Sequence, residues 1–245
     1  MARRTGYSRS YLGNVETGTR QATPGVVRAY ERVLGEDVNR RELLIGAVST
    51  VVAASVPDVA VDIAADVGAE RSRLLATVQT SHAVDRTIAA LVSKDTPSLA
   101  ALAKWARQGS PILRVNAVGI LAKVGSPVLD DDVVRVLKAD EDVRLLYLTA
   151  VVSRVLGMPW NDARRVATSG QPLAEEAHLQ AFAQEVTNPA DSGARWCSVV
   201  MLARTRAEAA REVADALARA LPQETSRENL RVIGGALAGL DPLTV

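Results

Sequence analysis

Apolar side chains return every three or four positions along most of this 245-residue chain, the spacing that gathers them on one face of a helix. Ser8, after Gly6-Tyr7, is placed to cap a short helix running to about Thr17, where Gly18 stops it; Leu12 and Val15 form its thin apolar stripe. Thr23-Pro24 opens the next helix with a cap and a first-turn proline. Val26, Val27, Tyr30, Val33 and Leu34 give that helix an apolar face, and Gly35 closes it. A hydrophobic helix is predicted from Arg41 to about Ser55, bounded by Pro57, with Gly46, Ala47, Ala53 and Ala54 small enough for close helix contact. Residues 58–66 continue the helical pattern, and Glu70 to Leu91 reads as one amphipathic helix.

Past Thr96 the pattern breaks into shorter helices punctuated by Gly-Ser-Pro, Gly-Met-Pro, Gly-Gln-Pro and Asn-Pro, in which Gly ends one helix and Pro opens the next. Three segments share an apolar-Arg-apolar start and an apolar end: Leu113 to Leu121, Val143 to Val151 and Ala194 to Leu202. Shorter helices, 98–108 and 130–138, precede the first two, so the unit is a repeating helix pair. This arrangement resembles a HEAT-type repeat over residues 97–245, which implies an α-solenoid whose second helices line an inner face. The step from Arg144 to Arg195 breaks the period, and segments 159–167 and 172–186 fill it as an irregular pair. Each pair hides its apolar face only by stacking on its neighbours. The fold class expected is all-α, in three parts: 1–38, a connecting or dimerising segment 39–95, and the helical repeats 96–245.

Thr5-Gly6, Ser8-Arg9-Ser10-Tyr11-Leu12, Val15-Glu16 with Gly18, and Thr23-Pro24 through Leu34-Gly35 together resemble the Cro/C1-type (XRE) helix-turn-helix family. The resemblance covers about 35 residues and starts part-way into the family pattern, whose members carry a further helix and most of a second before the position of Met1. Either the true start lies upstream of Met1, or this version lacks the helix that packs behind the recognition helix. By position, the resemblance implies that Arg9, Ser10 and Asn14, with Gly13 beside them, meet base edges in the major groove. The residue types suit this: Arg can donate twice to guanine, and an Asn amide can pair bidentately with adenine. Ser8, Thr17, Thr19 and Arg20 flank the helix and would meet phosphates, which fix register without reading sequence. Solvated surface charge is the plainer reading of Arg9 and Arg20.

Charge distribution agrees with a small basic reader. Residues 1–41 hold eight Arg against four Asp/Glu, whereas the whole chain balances at +1. Aromatics are only 3% of the chain and alanine is abundant, which favours closely packed helices over strands. Arg outnumbers Lys 25 to 4, a bias expected of a GC-rich bacterial coding sequence. A single cysteine, Cys197, rules out an internal disulfide and fits a reducing cytoplasm. With only His82 and His178, a Cys/His metal site or a His-based triad is not expected. Asn39-Arg40-Arg41 before an apolar run looks like a twin-arginine export signal, but it follows the reader pattern, and the run is too short to span a bilayer.

Other candidate chemistry has a structural explanation at hand. Arg114, Arg144 and Arg195 could form a basic ladder, but more often such arginines bond an Asp or a carbonyl of the preceding repeat. Asp130-Asp131-Asp132 could hold a metal, or could complement a helix dipole; Trp105, Trp160 and Trp196 could line a pocket, or simply pack. No P-loop, dinucleotide fingerprint or nucleophile elbow occurs, so an enzyme is the weaker class and no cofactor is expected. The sequence therefore predicts a cytoplasmic transcriptional regulator that binds double-stranded DNA as a homodimer, with the repeats open to a protein partner or small-molecule effector. The rival is a HEAT-like scaffold whose shortened helix-turn-helix does not bind DNA.

Overall fold

The computed structural model describes residues 7, 8, 11, 59–77, 79–170, 173, 175–205 and 209–244. The chain divides into two compact units, Met1–Ile63 and Ala64–Val245. The described residues form helices joined by turns, with no strand among them: the protein is all-α. The expected helices over 12–34 and 41–55 lie outside the described residues.

In the second unit, helical residues 64–68 lead to a clear departure from the predicted pattern, because 70–91 is not a single helix. The chain leaves the helix through Glu70, which adopts a left-handed φ of 55°. The Glu70 amide donates to Val67 O (2.9 Å) and the Arg71 amide to Asp66 O (2.8 Å), the paired bonds of a Schellman ending with Glu where Gly is usual. The Arg71 side chain secures the turn on Asp66 Oδ1 at 3.0 Å. Asn116 then holds the turns that follow in place, donating to Leu75 O (2.7 Å) and accepting from the Thr80 amide (3.0 Å). Helical periodicity over 70–81 yields here to a tertiary contact that supplies partners for the freed backbone groups.

Among the described residues ten α-helices follow: α1 (His82–Val92), α2 (Thr96–Trp105), α3 (Pro111–Leu121), α4 (Pro127–Ala139), α5 (Glu141–Leu156), α6 (Trp160–Thr168), α7 (Glu176–Glu185), α8 (Ser192–Leu202), α9 (Ala210–Ala220) and α10 (Arg227–Leu237). Their starts are written locally. Ser81, Asp95, Ser110, Asp140, Asp191 and Ser226 each accept the amide three residues on, and proline opens α2, α3 and α4; each such cap contributes about 1 kcal/mol. Gly157 ends α5 with a left-handed φ of 63°. Helix α4 begins at Pro127, three residues before the aspartate run expected to open it.

Helices α3, α5, α8 and α10 stack in succession, while α4 touches not only α3 and α5 but also α8 and α10. The succession of pairs therefore curls back on itself around α8, every residue of which is buried from Ser192 to Leu202. A helix enclosed on all sides needs close neighbours, and Gly193 provides the room: a Cβ there would stand 2.7 Å from the Tyr147 hydroxyl of α5.

Candidate nucleic-acid interface and the polar core of the second unit

The described part of the amino-terminal unit includes the start of the predicted reading helix. Tyr11 is helical, and its amide donates to Ser8 Oγ at 3.1 Å, the bond expected of a Ser8 cap. The Tyr7 and Tyr11 rings stack with centroids 5.3 Å apart. Ser8 is exposed, so its hydroxyl oxygen can serve the helix while its proton remains available to an acceptor such as a phosphate. Arg9, Ser10, Gly13, Asn14, Thr17, Thr19 and Arg20 lie outside the described residues.

Residues 1–44 match the model of a helix-turn-helix domain family. The first 44 residues thus carry a helix-turn-helix domain, the segment in which Ser8 and the basic excess fall. No curated protein and no solved structure matches the chain.

In the second unit, the most concentrated polar chemistry is a buried cluster that joins α1, α3, α5 and α8. Asp191, the cap of α8, accepts at Oδ1 from the Tyr147 hydroxyl and the Ala194 amide, each at 2.8 Å. Its Oδ2 faces Lys123 Nζ at 3.0 Å and His82 Nδ1 at 3.3 Å. Burial alone would raise the Asp191 pKa, but Lys123, His82, the Ala194 amide and Tyr147 together hold it below the usual carboxylate range. The Lys123 side chain is 3% exposed and fully engaged, with Gly119 O at 2.8 Å and Asp85 Oδ2 at 3.6 Å as its other partners. Gly119 is where α3 meets Asp85: a Cβ there would lie 2.6 Å from Asp85 Oδ2.

Asp85 differs from Asp191. Thr80 Oγ1 lies 2.5 Å from Asp85 Oδ1 and 3.1 Å from Asn116 Oδ1, two acceptors for one hydroxyl proton. Both contacts are satisfied when Asp85 carries a proton, donating to Thr80 while Thr80 donates to Asn116. Burial pushes the Asp85 pKa up, against the pull of Lys123 and Thr80. Beside the cluster is a cavity of about 50 Å³, room for a few waters, lined in part by Gln79, whose Oε1 is buried without a hydrogen bond. The arrangement pins helices together with its own groups and leaves little space for a substrate.

The arginines that could have formed a ladder are instead each bonded within the unit, the alternative that the sequence favoured. Arg114 bonds Asp140 (2.7 Å) and Gly109 O (2.7 Å), and Arg144 donates to Lys138 O (2.9 Å) at the end of the preceding helix. Arg195 is 7% exposed and gripped by Glu224. They brace the fold and do not line an open face, because α8 lies inside the unit and α5 follows α4 directly. The three aspartates also diverge: Asp130 approaches Arg195, Asp131 accepts from Ser226 Oγ (2.7 Å) and the Glu228 amide (3.1 Å), and Asp132 pairs with Arg107 (3.0 Å) and Arg135 (2.9 Å). Trp105 and Trp196 pack in the core, and Trp160 is half-buried. Cys197 is a free, buried thiol whose pKa burial raises well above its ordinary value. His178 stands 3.3 Å from Glu175, in the turn before α7. Among the described residues, no helix is long and apolar enough to cross a membrane.

Lys123, Asp85, Asp191, Tyr147 and Glu224 were not singled out by the sequence reading. Two signals were available: Lys123 is one of only four lysines among 29 basic residues and sits in an apolar stretch, and Asp191 precedes a helix without a charged face except for Arg195.

Proposed function

We propose that the protein is a sequence-specific DNA-binding transcriptional regulator of the Cro/C1 (XRE) type. The observation that carries this reading is the helix-turn-helix match over residues 1–44; the Ser8 cap and the net +4 of residues 1–41 support it. Arg9, Ser10 and Asn14 read base edges, with Gly13 allowing close approach, while Ser8, Thr17, Thr19 and Arg20 hold phosphates. One short recognition helix reads only a few base pairs, so the protein acts as a homodimer on half-sites about 34 Å apart. Residues 39–95 connect or dimerise, and the HEAT-like helix pairs of 96–245 receive a protein partner or effector. The protein works in the cytoplasm of a bacterium and performs no catalysis.

The test is a gel shift with DNA from upstream of its own gene. A shift that is lost with Arg9→Ala and kept with Arg114→Ala is expected, since Arg114 is committed to Asp140 and Gly109. Equal shifts for both variants would remove the reading helix from the interface.

A further inference from the structure

A second polar cluster, between α4, α8 and the segment joining α9 to α10, has more acceptor than it can satisfy. Arg195 donates through Nε and Nη2 to both oxygens of Glu224, at 2.7 and 3.0 Å, and through Nη1 to Asn188 O at 3.0 Å. Glu224 Oε1 also takes the amides of Thr225 and Ser226, each at 2.9 Å. Asp130 is only 4% exposed and lies against the same guanidinium, its Oδ2 3.5 Å from Arg195 Nη2. Its Oδ1 is buried and accepts no hydrogen bond. Two carboxylates thus share one guanidinium that is already committed, and a buried acceptor left open is unfavourable.

A cavity of about 160 Å³ adjoins this cluster, lined by Asp130, Arg195 and Glu224 together with apolar Val186, Pro189 and Ala220 and polar Thr187 and Gln223. A cavity of this size accommodates a guest about as large as benzene. We propose that it binds a small organic monocation with N–H donors, a short alkylammonium whose head lies against the Asp130 and Glu224 carboxylates and whose chain lies along Val186, Pro189 and Ala220. Such a ligand supplies what the cluster is short of, a second positive charge for two carboxylates that share one guanidinium. A divalent metal fits poorly, since it would need about six oxygen ligands beside a guanidinium. The Asp130 carboxyl is pushed up to about 6, chiefly by burial and also by the Glu224 charge, against the pull of Ser192 and Arg195. Among the lining residues the only charges facing it are Arg195 and Glu224. Protons and the ligand therefore compete for Asp130. The site stands independently of whether the amino-terminal unit reads DNA.

The experiment titrates the full chain with n-butylammonium chloride at matched ionic strength, with n-butanol as the neutral isostere, following binding by calorimetry and by the shift in Tm. Expected are saturable binding at least roughly tenfold tighter than that of butanol, weakening as pH falls below 6, and loss of the preference for the cation in Asp130→Asn. Gln223 is exposed, so Gln223→Trp covers the pocket mouth without disturbing the core and should abolish binding even if Asp130→Asn fails to fold. Equal affinity for butanol, indifference to Gln223→Trp, or no saturable binding, which would mean that the cavity holds water alone, would each overturn the proposal.

Discussion

Removing the Asp191 charge should expose how much the second unit depends on its buried ion pair. Asp191→Asn keeps Oδ1 for Tyr147 and the Ala194 amide, so the cap of α8 survives, but it sets an amide against Lys123 Nζ and His82 in place of a carboxylate. Lys123 is then a cation 3% exposed, and Asp85, 3.6 Å away, must lose its proton to serve as the anionic partner. Breaking a buried pair from one side costs about 3–5 kcal/mol; because Asp85 can take up part of the charge, the lower end, about 3 kcal/mol, is expected. Lys123→Met strands Asp191 and should cost a similar amount. The double variant leaves neither charge unpaired, so it should be about 2 kcal/mol less destabilised than the sum of the singles. Urea unfolding of the full chain, followed by far-ultraviolet circular dichroism, measures all four corners of the cycle. Additivity within about 0.5 kcal/mol would refute the pairing. Asp191 also has a pH signature of known sign: its folded pKa is depressed, so its stabilisation is complete above the unfolded carboxylate value of about 3.9 and is lost as pH falls further.

Asp130 should behave in the opposite sense. Its folded pKa is raised to about 6, so its contribution is fully present below the unfolded value and lost as pH rises through 6, by about 2 kcal/mol once the pocket's opening to solvent is allowed for; Asp130→Asn should flatten the stability profile across that interval, as thermal unfolding at stepped pH would measure. Gly193→Ala places a Cβ 2.7 Å from the Tyr147 hydroxyl and should destabilise by about 1–3 kcal/mol, with Tyr147→Phe recovering part of the loss. Glu224→Gln weakens the grip on a buried Arg195 and should lower the urea midpoint far more than Glu212→Gln, at an exposed position of α9. Light scattering at DNA-binding concentrations should give the mass of a dimer, and a monomer mass would count against two-fold operator reading.

Much of the helical framework is legible because its punctuation is local. Ser110-Pro111, Ser126-Pro127 and Gly157 to Pro159 mark their own helix ends, and the repeated apolar-Arg pattern falls inside α3, α5 and α8. The span 70–91 misleads because its helical spacing is genuine while Leu75 O and the Thr80 amide take their partner from Asn116, which no local pattern reveals. Asp85, Lys123 and Asp191 are hidden for the same reason: each reads singly as an ordinary surface charge, and only the packing of α1 on α3 and the return of the α8 start to the end of α3 bring them together. Arg195 looks like part of a ladder because its helix resembles α3 and α5, yet the curl of the array buries it against Glu224, 29 residues later. The helix-turn-helix was readable as a motif, since caps and turns carry its signal, and the family match falls on the same segment.

The most direct test of DNA reading by that segment is selection of bound duplexes from a randomised pool, run with the natural chain, Arg9→Ala and Asn14→Ala. One enriched, two-fold-related motif is expected, in which each substitution relaxes the preference at its own base position, by roughly 1–3 kcal/mol in equilibrium competition. No enriched motif, or the same motif at the same strength from all three proteins, would contradict it.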